Sequence, residues 1–111
     1  MVYEPTSCWG GTEYTAVLTN RLPSTIIVGE YLGSGSSATE NQVKYNETKT
    51  IKLGKNLDAS IGFYCYGSYN NVKCVIDGAT VYTFNCESGK PLAFPYYKIR
   101  NIVDKNLEIK L

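Results

Sequence analysis

The sequence predicts an all-β fold: a single antiparallel β-sandwich of about seven to nine strands, stapled by disulfides. Three observations carry this. Short β-branched and aromatic runs recur at intervals of roughly eight to twelve residues, with Gly, Pro, Asn and Ser between them. No segment combines a helical apolar period with end caps. The 111 residues include four cysteines, enough for two disulfides in a chain sized for one domain, residues 1–111.

The elements follow in order. Residues 1–13 hold Pro5, Cys8, Trp9 and two glycines, and read as an arm tied down by Cys8 with Trp9 as a packing anchor. Glu13–Thr19 reads as a strand, Asn20–Ser24 as a turn with Leu22 packed beneath it, and Thr25–Leu32 as a central strand. Gly33–Asn41, GSGSSATEN, is a flexible polar loop. Val43–Tyr45 adds a short strand. Thr48–Leu53 alternates cleanly, with Ile51 and Leu53 inward and lysines outward.

Residues 60–86 are predicted to form a three-stranded meander. Asp77-Gly78 suits a type I′ turn, because both residues tolerate positive φ. This places Ile76 opposite Ala79, Cys74 opposite Val81 and Lys73 opposite Tyr82. A looser turn at Gly67–Asn71 places Cys65 opposite Cys74. One face then carries Ile61, Phe63, Cys65, Val72, Cys74, Ile76, Ala79 and Val81, and belongs to the core. The other carries Tyr64, Tyr66, Lys73, Val75, Thr80, Tyr82 and Phe84. A single bulge would flip part of this assignment. Beyond it, Leu92–Pro95 is extended, Tyr96–Val103 turns Ile99 inward, and Leu107–Leu111 forms a terminal strand.

The register favours a Cys65–Cys74 disulfide, leaving Cys8 to pair with Cys86; sequence alone does not fix the connectivity. Two disulfides imply an oxidising, extracellular location, against the competing reading of four reduced thiols in the cytosol. Met1–Glu4 shows neither a charged n-region nor an apolar h-region, so a secreted form would be a mature chain. Asn46-Glu47-Thr48 is an N-glycosylation sequon, with Asn46 expected at the surface.

Several function classes are disfavoured. Eleven basic residues against ten acidic ones leave no basic stripe for nucleic acid. No apolar run is long enough for a transmembrane segment. With no histidine and no C-x-x-C pair, neither a metal site nor a His-based catalytic group is indicated, and no cofactor is implied. Gly33–Ala38 matches a dinucleotide fingerprint, but no helix follows to hold a pyrophosphate. A carboxylate pair for glycoside hydrolysis could be drawn from Glu13, Glu30, Asp58, Asp77, Glu87 and Glu108, yet no spacing selects two of them.

What remains is the aromatic surface. Tyr64, Tyr66, Tyr82 and Phe84 around Lys73, with Tyr69 at the adjoining loop tip, suit sugar rings, lipid headgroups or a protein partner. The competing reading makes this face a second core layer, covered by Tyr96, Tyr97 and Ile99. The sequence therefore points to a non-enzymatic, lectin-like secreted protein that binds a glycan or another cell-surface ligand. The alternatives are an effector or toxin binding a host or competitor protein, and an assembly module that homodimerises through the aromatic face.

Overall fold

The computed structural model describes residues 13–32 and 39–111, with 94–96 as backbone only. The arm with Cys8 and Trp9, and most of the Ser/Gly loop, lie outside the described residues. Nine strands are described: β1 (Tyr14–Asn20), β2 (Ile26–Tyr31), β3 (Asn41–Val43), β4 (Thr48–Gly54), β5 (Ser60–Cys65), β6 (Tyr69–Ile76), β7 (Ala79–Cys86), β8 (Leu92–Lys98) and β9 (Asn106–Lys110). A 3-10 turn, Ile99–Asn101, links β8 to β9.

The strands form two sheets, ordered β4-β1-β9-β6-β7 and β3-β2-β5-β8. All pairings are antiparallel except β1 with β9, so the antiparallel prediction holds for all but one pair. The two sheets share one core. Leu18, Ile51, Leu53, Val72, Leu107 and Ile109 come from the five-stranded sheet, and Ile26, Val28, Val43, Ile61 and Phe63 from the other. β2 is an interior strand, as its β-branched run implies, and Leu22 is buried beneath its turn.

The predicted meander is corrected. β5 and β6 are not neighbours: β5 lies between β2 and β8, while β6 lies between β9 and β7. The segment after Cys65 crosses from one sheet to the other instead of reversing within one. The hairpin itself is as expected, with φ of 50° at Asp77 and 87° at Gly78, and Ile76 opposite Ala79. A bulge between Cys74 and Val75 then shifts the register by one residue. Cys74 meets Tyr82 instead of Val81, and Lys73 meets Thr83 instead of Tyr82. Because side chains alternate along a strand, this slip turns Tyr82, Phe84 and Cys86 toward the core. Ala79 is exposed and Val81 half-buried.

Asparagine and tyrosine side chains close the gaps between the sheets. Asn20 is fully buried. Its Nδ2 donates to Ser24 O (2.7 Å) and Val43 O (2.9 Å), while its Oδ1 accepts from Leu22 N (2.9 Å). Asn41 of β3 donates to Val28 O (2.7 Å) and to Lys52 O (2.5 Å), and its Oδ1 accepts from Lys52 N (2.8 Å). It thereby ties the β2–β3 margin to β4. On the opposite margin, Tyr97 of β8 donates its hydroxyl to Val81 O of β7 (2.5 Å).

Candidate recognition surface

Of the expected site residues, the five assigned to one face are distributed over three places. Tyr64 and Tyr66 follow the outward positions of β5, since Ile61, Phe63 and Cys65 take the inward ones. Their rings meet edge to face at 5.2 Å, with Tyr64 half-buried and Tyr66 51% exposed. Lys73 lies on the outer face of the other sheet, beside Thr83 and Lys110. Tyr82 and Phe84 sit between the sheets: they stack at 5.9 Å, Phe84 packs on core residue Phe63 at 5.1 Å, and Tyr82 meets Tyr97 at 5.9 Å. For these two residues the second-layer reading is the right one. Of its proposed covers, Tyr97 takes part and Ile99 is buried, while the Tyr96 side chain is outside the described residues.

Tyr69 is also displaced from its expected place at a loop tip. It pairs with Cys86 at the start of β6 and packs against the core. Its ring lies over Gly67, where a Cβ would stand 2.6 Å from ring atoms, so any side chain at position 67 would require the Tyr69 ring to move.

The surface that survives is the Tyr64–Tyr66 end of the four-stranded sheet. Ile27 stands opposite Tyr64 on the neighbouring strand. The loop after β7 folds back against this end. Gly89 N donates to Cys65 O (3.2 Å), Ser88 Oγ to Tyr66 O (2.8 Å), and Ser88 N to Ser68 Oγ (3.0 Å). That loop brings an exposed Glu87–Lys90 ion pair (2.7 Å). The Lys90 ammonium is held above its usual range, first by its hydrogen bond to Glu87 and then by that carboxylate's charge. Further along the same face, Gly29 and Gly62 are paired across β2 and β5, and Tyr31 covers Gly62.

The carboxylates also separate into two groups. Asp58 pairs with Arg100, Asp77 with Lys105 (3.6 Å), Glu87 with Lys90 and Glu108 with Arg21 (3.3 Å), all at the surface. Glu13 and Glu30 instead converge on a cavity of about 420 Å³ that Thr39, Gly54, Lys55 and Asn56 also line. Gly54 has a φ of 98°, and the Glu30 carboxylate lies so close that a Cβ there would be 2.7 Å from Oε2. Sequence spacing could not reveal this convergence, because it joins the start of β1 to the ends of β2 and β4.

Cys65, Cys74 and Cys86 are buried free thiols. Cys65 and Cys74 belong to different sheets, so the register that paired them does not exist. Cys74 lies opposite Ile109 and Tyr82. Burial raises its thiol from 9.0 to about 11. Asn46 is exposed, with a φ of 63° and its Oδ1 accepting from Arg21 Nη1 (3.1 Å). Among the described residues, no three His, Cys, Asp or Glu side chains gather as a metal site requires, and no helix is long and apolar enough to cross a membrane.

Comparison with known proteins found no matching family model, no matching curated protein and no matching solved structure.

Proposed function

We propose that this all-β, two-sheet domain is a non-enzymatic, secreted recognition protein that binds a glycan through Tyr64 and Tyr66. The observation that carries the reading is the exposed Tyr66 ring, braced edge to face by Tyr64 on a sheet face. A braced aromatic ring offers a flat apolar surface for a sugar face at little entropic cost, and the tyrosine hydroxyls can pair with sugar hydroxyls. The Ser88 loop and the Glu87–Lys90 pair supply polar groups alongside. The exposed asparagine of the Asn46 sequon is compatible with secretion.

Glycan-array screening followed by titration of the best ligand tests this. Tyr66→Ala should weaken binding at least about tenfold, on the scale of a lost aromatic contact, while Lys73→Ala leaves it unchanged. Binding that ignores Tyr66 but falls with Lys73 would overturn the assignment. If no glycan binds and the protein is a dimer that dissociates on Tyr66→Glu, the same surface serves assembly. If it instead captures one defined protein and Tyr66→Glu abolishes that capture, the effector reading replaces the glycan one.

A further inference from the structure

Cys65 ends β5 in the four-stranded sheet, and Cys86 ends β7 at the margin of the five-stranded sheet. The two thiols are near enough for Cys65 to influence the Cys86 thiol. Both also engage one intervening residue: Gly67 N donates to Cys65 Sγ (3.4 Å), and Cys86 Sγ donates to Gly67 O (3.9 Å). Ser24 Oγ stands 3.6 Å from Cys65 Sγ on the other side. Both cysteines are buried, at 0% and 2% exposure, so the pair is enclosed within the fold. Three backbone connections fix the surroundings. Tyr69 pairs with Cys86, Tyr66 N donates to Thr25 O, and Gly89 N donates to Cys65 O.

We propose that Cys65 and Cys86 form a disulfide that joins the two sheets, with a small-molecule or protein disulfide as oxidant. One cysteine, as thiolate, attacks the oxidant disulfide and expels one thiolate, leaving a mixed disulfide. The second then attacks the protein sulfur of that mixed disulfide, forming the Cys65–Cys86 bond and expelling the other thiolate. Two thiol protons are lost, and two electrons reduce the oxidant to two thiols. The pairing does not depend on the glycan reading. It replaces the Cys65–Cys74 bond expected from the sequence, and it excludes Cys8–Cys86.

The environment sets when the bond forms. Burial first, and then the neighbouring Cys65 thiol, raise the Cys86 thiol from 9.0 to about 11. Little thiolate is present in the folded protein at neutral pH, so exchange runs while the chain folds or opens locally. The bond closes a loop of about 22 residues that contains β6 and most of β7. A loop of that size lowers the unfolding equilibrium constant roughly 10²- to 10³-fold by restricting the unfolded chain.

The test is refolding of the full chain in a buffer of reduced and oxidised glutathione, then alkylation and a non-reducing peptide map. The expected product is two hydrogens lighter per bond and yields one linked peptide joining Cys65 to Cys86. Its unfolding midpoint should rise relative to the reduced protein, and Cys65→Ser or Cys86→Ser should abolish that rise. Either cysteine linked to Cys74 or Cys8 would overturn the proposal. So would full alkylation of both after oxidative refolding. The map uses the parent chain, so it stays decisive even where a serine variant fails to fold.

Discussion

Replacing Asn20 separates hydrogen bonding from packing in the joint between the sheets. Asn20→Ala removes three hydrogen bonds at once. The Ser24 carbonyl is only partly buried and can turn to water, and the Val43 carbonyl stands opposite Ile26 in the β2–β3 ladder, but Leu22 N–H is left buried without the Asn20 acceptor. An unsatisfied buried backbone group costs about 1–3 kcal/mol. That group, together with the lost bond to the Val43 carbonyl, gives a loss of about 3 kcal/mol. That is a large share of the 5–15 kcal/mol typical of a domain, and it should lower the melting temperature by about 12–20 °C. Asn20→Asp sharpens the test because it preserves shape. A carboxylate still accepts from Leu22 N but turns an oxygen toward the Ser24 and Val43 carbonyls. Buried without a cation, it should have a folded pKa above its unfolded value of about 3.9. Its stability should therefore be greatest below that value, where the acid can donate to one carbonyl, and fall as pH rises toward neutrality. Denaturant titrations of parent and both variants between pH 3.5 and 8, followed by circular dichroism, measure all three. A loss under about 1 kcal/mol for Asn20→Ala, or an Asn20→Asp variant that gains stability relative to the parent as pH rises, would refute the reasoning.

Two further perturbations follow. Gly78 has a φ of 87° and open space around it, so Gly78→Ala should cost about 1 kcal/mol from backbone strain alone, without disturbing the core; a neutral result in chemical denaturation would mean the turn is not held in the I′ form. Cys74 has its folded thiol pKa raised to about 11 by burial, so its contribution is fully present below pH 9 and is lost as pH rises through 11. In the reduced protein this is worth at most about 2–3 kcal/mol. Cys74→Ala should flatten the alkaline limb of the stability profile relative to the parent, and equal limbs would show that Cys74 does not titrate in that window.

Much of the fold was legible because it is written in local pattern. Ile51 and Leu53 alternate with exposed lysines, Asp77-Gly78 demands positive φ, and the strand boundaries fall close to the Gly, Pro and Asn clusters. What failed was pairing at a distance. The Gly67–Asn71 stretch looks like a hairpin turn, yet the same residues allow a crossing between sheets. Only the packing of β5 against β2 and β8 decides between them. The bulge at Cys74 and Val75 left no local signature either, because apolar and aromatic residues fill both faces of β6 and β7 near it. That one-residue slip carries Tyr82 and Phe84 from the expected surface to the interior. Asn20 and Asn41 read as ordinary turn residues, and their bridging role depends on a second sheet that the sequence does not announce.

The Asn41 amide has a further consequence. A sheet margin exposes backbone donors and acceptors that another chain can copy, and this is how β-rich proteins polymerise. Asn41 occupies both the N–H and the C=O of Lys52 on the β4 margin, and Tyr97 occupies the carbonyl of Val81 on the β7 margin. A strand arriving at either place must first displace a side chain that already satisfies those groups. Asn41→Ala or Tyr97→Phe would free them and should leave those margins open to pairing with another chain.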